Sequence, residues 1–186
     1  LWPEERVTVG IISPETRSSM LDRVDEFTRR DIPFFFDPGQ ITPRFTADEL
    51  INCFRKARYV VMSDYELELV KRITNIKEKA LLDLCEVLIV TQAEQGATVF
   101  THQESLHVRA CPVRAHDTIG AGDAFRAGLL HAVLHNLDWK HALQLGCALA
   151  SFKVQSEGAQ TYCPTRQELI ERLIATYGDA AVGYAL

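Results

Sequence analysis

The sequence predicts an α/β domain built on a mostly parallel sheet, and three observations carry that reading. Short β-branched or aromatic runs alternate with segments of helical period through the first half of the chain, as in parallel βαβ units covered on both faces. Four groups of polar or glycine residues fall just after strands, where open parallel sheets collect their ligands: Asp37, Ser63 to Glu66, Thr91 to Gly96, and a turn at Gly120. The stretch Asp117-Thr118-Ile119-Gly120-Ala121-Gly122-Asp123 is a glycine turn running into an apolar helix.

The elements follow in order. Val7 to Ile12 is a β-branched run stopped by Ser13-Pro14, a buried strand. Ser18 or Ser19 is the expected cap of a helix on which Met20, Leu21, Val24 and Phe27 recur at helical spacing. Ile32 to Phe36 is a second strand, ended by Asp37-Pro38-Gly39, and its aromatic run belongs to the core. Thr46-Ala47-Asp48-Glu49 has the form of a capping box and opens a helix to about Lys56. Tyr59 to Met62 is a third strand, followed by helices over Asp64–Ile73 and about Lys77–Cys85. Val87 to Thr91 is a fourth strand, and Ala97–Phe100 with Ser105–Val108 reads as a hairpin. Helices are expected from about Ala124 to His135, from Trp139 to Val154, and from a capping box at Thr165-Arg166-Gln167-Glu168 to about Thr176. The tail from Gly178 to Leu186 is small and apolar without a clear period.

Composition narrows the function. Among 186 residues, 47% are hydrophobic, enough for one domain with a substantial core. A net charge of −5 without a basic block argues against nucleic acid or an anionic membrane as partner. No apolar run approaches a membrane span, and Leu1 to Glu5 does not have the form of a signal peptide. The five cysteines are widely spaced with no C-x-x-C, which points to a reduced, cytoplasmic protein rather than a disulfide scaffold or zinc module. His131 and His135 have metal-ligand spacing, but no third ligand pattern lies nearby, so packing is the reading for both.

The glycine turn is where the chemistry concentrates. Small residues at Gly120, Ala121 and Gly122 admit a close ligand, and a helix opening there aims free N–H groups and its positive dipole end at an anion. Asp123 at that mouth is a poor phosphate ligand and makes more sense as a proton acceptor. A plain helix N-cap is the alternative role for it. The combination suggests phosphoryl transfer to a hydroxyl.

The run D-T-x-G-A-G-D-x-x-x-A-G-L-L over Asp117–Leu130 resembles the C-terminal signature of the PfkB, ribokinase-like sugar and nucleoside kinases, and Gly158-Ala159 with Pro164-Thr165 resembles the family's closing segment. The resemblance implies a three-layer ribokinase-like fold, of which residues 1–186 would be the C-terminal nucleotide-binding and catalytic portion. It implies Asp123 as base, with the amides of Gly120, Ala121, Gly122 and Asp123 as anion hole, and ATP with Mg2+ as cofactors. Ser63-Asp64-Tyr65-Glu66 stands where the family carries N-x-x-E, so Glu66 would organise magnesium and its waters, and Ser63 replaces the asparagine; acidic residues opening a helix are the plain alternative. Thr91-Gln92-Ala93-Glu94-Gln95-Gly96 resembles the family's T-x-G-x-x-G nucleotide turn, with Ala93 strained if that position needs positive φ. Thr91 and Gly96 are phosphate-side candidates, and Cys147 and Ser151 align with the adenine-pocket wall.

Asp117 and Gly158 resemble the family's monovalent-cation (K+) site, although Asp117 also suits a turn that bonds its own backbone. Arg126, one helical turn beyond Asp123, either clamps a phosphate or pairs with a carboxylate. The first expected acceptor is adenosine, from the Asp37-Pro38-Gly39-Gln40, D-Y-E and G-D-A-x-R-A-G-L-L motifs; a ribose- or fructose-type sugar is second. A non-catalytic nucleotide-binding module is the rival reading. The family's glycine-rich N-terminal strand turn and β lid have no match, and the chain starts at Leu1, so an N-terminal part is expected to be missing. A homodimer through such a lid is an open assembly.

Overall fold

The structure, a computed structural model, describes residues 7–182. The segment at Leu1–Glu5 and the last four residues of the apolar tail lie outside the described residues. The strands are β1 (Gly10–Ile12), β2 (Phe34–Phe36), β3 (Tyr59–Ser63), β4 (Val87–Thr91), β5 (Ala97–Thr101) and β6 (Ser105–Val108). The helices are α1 (Arg17–Arg29), α2 (Ala47–Lys56), α3 (Asp64–Thr74), α4 (Glu78–Leu81), α5 (Ala121–Leu134), α6 (Trp139–Val154) and α7 (Arg166–Tyr177). The six strands stand in chain order, and β1 to β4 pair in parallel through helical crossovers, giving the expected three-layer α/β architecture.

By internal contact the chain divides into two compact units. The first holds the residues up to Thr91 and Val99–Ser105. Its core is aromatic and aliphatic: Phe34 and Phe36 of β2 face Met20 and Val24 of α1 and Leu50, Cys53 and Phe54 of α2. Phe35 stacks on Tyr59 with ring centroids 4.4 Å apart. All three residues of β2 are buried, as befits a strand covered on both faces. The parallel register sets Ser63 opposite Thr91 at the carboxyl ends of β3 and β4.

The second unit holds Gln92–Thr98 and the chain from Leu106 onward. Its core centres on Cys111, Leu145, Ala148, Leu169 and Leu173. Helices α5 and α6 approach backbone to backbone, because a Cβ on Gly128 would lie 2.7 Å from the Cα and N of Gly146.

Several boundaries differ from the expected ones. The caps at Thr46 and Thr165 form with both reciprocal bonds, but α1 is capped by Thr16 rather than by Ser18 or Ser19. The first two strands are shorter than the apolar runs that suggested them. A 3-10 turn over Gly39–Arg44 follows β2. The helix expected over Lys77–Cys85 shrinks to the single turn of α4, whose preceding residue Lys77 makes no side-chain cap bond. Helix α5 begins at Ala121, earlier than Ala124, with Gly120 as its N-cap.

Gly128→Ala tests the helix crossing. The clash is with backbone, so overpacking should cost about 1–3 kcal/mol, against a helix-propensity gain of roughly 1 kcal/mol. A net loss of stability in a denaturant titration is the expected outcome, and an unchanged or raised midpoint would remove the close crossing.

Candidate functional site

The second unit builds the glycine turn from local bonds. Asp117 Oδ1 accepts the Ile119 amide at 2.9 Å and Oδ2 accepts the Gly158 amide at 2.8 Å. Thus Asp117 is a turn residue bonding its own backbone and also a tie to the Gly158 loop. These two amides, with Lys153 nearby, hold its carboxyl below the usual range. Gly120 has φ of +86°, and a Cβ there would lie 3.1–3.2 Å from Ala159. Glycine is therefore required both by conformation and by the neighbouring loop.

From this turn α5 starts. The Ala121 amide is spent on Thr118 O at 3.1 Å, which takes it out of the expected anion hole, and the first intrahelical bond runs from Ala124 N to Gly120 O. Helix geometry leaves the Gly122 and Asp123 amides without intrahelical acceptors. Asp123 sits in the first turn and the N-cap itself is Gly120, so Asp123 is not the N-cap residue. Its side chain is 72% exposed and ion-paired to Arg126, whose side chain is only 16% exposed. Arg126 lies back along the first turn, with a guanidinium nitrogen 3.3 Å from where a Gly122 Cβ would be. A cation at a helix N-terminus opposes the dipole, so Asp123 offsets it here and an arriving anion would do the same. Burial, and then the Asp123 charge, raise the Tyr162 phenol above its ordinary pKa. Tyr162 is thus a neighbour of Asp123 that no motif had marked.

Elsewhere in this unit Gly96, at φ +111°, would place a Cβ 2.0 Å from Val108 O, so its glycine has a packing reason of its own. Ala93 does adopt positive φ, +49°, the strained conformation anticipated where the kinases have glycine. Cys147 and Ser151 are interior residues. Burial pushes the Cys147 thiol up to about 12. The Ser151 hydroxyl donates to Ala148 O at 2.6 Å and accepts from Arg172 at 2.7 Å, so neither presents an uncommitted polar group to a nucleotide. His131 and His135 stack with centroids 4.1 Å apart, and no cluster of three metal-ligating side chains exists among the described residues.

In the first unit Ser63 and Glu66 form a reciprocal capping box: Ser63 Oγ accepts the Glu66 amide at 3.2 Å, and Glu66 Oε2 accepts the Ser63 amide at 2.7 Å. The helix-opening role is therefore present, using one carboxylate oxygen. Thr91 stands beside Ser63 by register. Asp37, ending β2, is buried.

The first unit is thus a parallel α/β sheet with polar residues at its strand ends, and the second opens a helix from a glycine turn with an aspartate in its first turn. This chain belongs to the pfkB family of carbohydrate kinases, whose family model matches residues 5–166. It is 31% identical over 139 residues to a nucleoside kinase of Methanocaldococcus jannaschii, covering 74% of this chain and 46% of that protein. It is 29% identical over 170 residues to a ribokinase of Bacillus subtilis, covering 91% of this chain and 56% of that one. The structure of Burkholderia thailandensis nucleoside kinase in complex with inosine superposes with a TM-score of 0.91 at 33% identity, covering 94% of this chain and 57% of that one. The fold is accordingly ribokinase-like, and the chain spans about half the length of the curated relatives it matches. Among the described residues no helix is long and apolar enough to cross a membrane.

The Asp117 bonds give a pH prediction. A carboxyl whose folded pKa is depressed contributes stability above its unfolded pKa of about 3.9, and loses it as pH falls through the lower folded value. Acid unfolding of Asp117→Asn, followed by circular dichroism, should show a weaker pH dependence below about pH 4 than the wild type; an identical profile would mean the carboxylate does not hold the turn.

Proposed function

We propose that this chain is the C-terminal nucleotide-binding and catalytic portion, residues 1–186, of a ribokinase-like enzyme that moves the γ-phosphoryl group of ATP to an alcohol. A nucleoside of the adenosine type is the acceptor we favour, since two relatives bear the name nucleoside kinase; a ribose- or fructose-type sugar is the second choice, favoured by the ribokinase relative. One observation carries the reading: Asp123 holds a solvent-open carboxylate in the first turn of α5, beside helix amides and a guanidinium.

Phosphoryl transfer asks the protein for position and charge neutralisation more than for covalent work. In this reading the amides of Gly122 and Asp123, with Gly120 shaping the turn, receive charge on the transferring group. Asp123 accepts the proton of the attacking hydroxyl, and Arg126 exchanges part of its pairing with Asp123 for a phosphate oxygen. Glu66 is the residue we assign to magnesium. Mg2+ keeps most of its waters and binds through one or two carboxylates plus substrate phosphates, so a single carboxylate already engaged through one oxygen fits a water-mediated role. Ser63, Thr91 and Gly96 are proposed nucleotide-side contacts; for Cys147 and Ser151, contact would come through the packed wall they form rather than through free polar groups. A reducing, cytoplasmic setting is the one we propose, from five widely spaced cysteines with no C-x-x-C.

The test is calorimetry with ATP followed by an acceptor screen on the full-length gene product. Asp123→Asn should stay folded and bind ATP at least as tightly as wild type while kcat falls by on the order of 10²–10⁴. Near-normal turnover would end the assignment of Asp123 as base. ATP binding without product from any nucleoside or sugar would favour a nucleotide-binding module instead.

A further inference from the structure

Lys153, in the last turn of α6, is 0% exposed. A buried ammonium is costly unless its charge and its donors are met. Here Nζ donates to Asp117 O at 2.7 Å and to Ser156 O at 3.2 Å, and lies 3.7 Å from Asp117 Oδ2. Two backbone carbonyls and a carboxylate are the oxygen set an alkali cation would take, and Asp117 with the Gly158 loop is where the family resemblance puts one. As this chain stands, those residues do not fit a free monovalent cation. The ammonium already lies among the oxygens, and a second positive charge at a few ångströms would be repelled with little water to screen it.

We propose that Lys153 is a tethered cation that takes the place of a monovalent metal ion beside the glycine turn. Its ammonium joins the residue that starts the turn to Ser156, while the Asp117 carboxylate bonds the amides of Ile119 and Gly158 on either side. Ala159 then backs directly onto Gly120. Lys153 is thus a positioning residue, acting on bound phosphate through the turn it anchors. Its functional consequence rests on the anion-hole reading given above, whereas occupancy of the cation position does not.

The experiment compares the full-length gene product in KCl and in choline chloride at equal ionic strength, so that screening is the same in both. Thermal unfolding without nucleotide tests occupancy by itself, and ATP affinity tests the consequence. Wild-type Tm should agree within about 1 °C and ATP affinity within about twofold, since a cation that does not bind the native state cannot stabilise it. Lys153→Ala should unfold at lower temperature in choline chloride and recover, dose-dependently, in KCl, because the vacated oxygens then hold K+. A wild-type Tm several degrees higher in KCl would overturn the proposal. So would Lys153→Ala that matches wild type in choline chloride. If that variant does not fold in either salt, the wild-type comparison decides alone. If Lys153→Ala lowers Tm in choline chloride as expected but binds ATP there as tightly as wild type, that would count against the anion-hole reading and not against the tethered cation.

Discussion

One carboxylate holds the functional end of the second unit together. Asp117 accepts backbone amides from Ile119, within its own turn, and from Gly158, far along the chain. Charged acceptors make the stronger hydrogen bonds, and a residue taking two such bonds from separate segments fixes the gap between them. The gap in question is occupied by Gly120, whose left-handed backbone strains any side chain and whose closeness to Ala159 crowds one. From that fixed turn the axis of α5 is launched, and with it the direction in which the first free amides point.

The same unit leaves the start of α5 without a side-chain cap. The N-cap is a glycine with no side chain to fold back on the amides, and the acidic residue is displaced into the first turn. Arg126 is drawn along the helix toward Gly122 and Asp123, so positive charge gathers where the dipole is also positive. The exposed Asp123 carboxylate is one group that meets that charge, and an arriving anion would meet it too. In the first unit the opposite economy applies: Ser63 and Glu66 satisfy the start of α3 themselves. Glu66 is thereby held in place by its own cap bonds before any ligand arrives.

Legibility in the sequence followed the range of the interaction. Capping boxes at Thr46 and Thr165 and the β-branched runs of β3 and β4 were readable because their partners lie within a few residues. The positive φ of Ala93 was readable too, from the glycine expected in its place. The cap of α1 was misplaced because Thr16, Ser18 and Ser19 offer three similar hydroxyls and only the chain path selects among them. The start of α5 was placed too late because glycine and alanine carry no periodic signal. Tyr162 could not be seen at all, since its relation to Asp123 is purely spatial.

Local pattern by itself therefore determined the fold class, the glycine turn and its aspartate, and the family to which the chain belongs. Each of these is written in contiguous residues whose conformational preferences act over one or two turns. Tertiary structure alone decided that Ser151 is turned inward to Arg172, and that Lys153, an ordinary lysine at the end of a helix to the eye, lies wholly buried against Asp117. Burial and charge compensation are properties of the segments that fold around a side chain, and those segments are distant in the sequence.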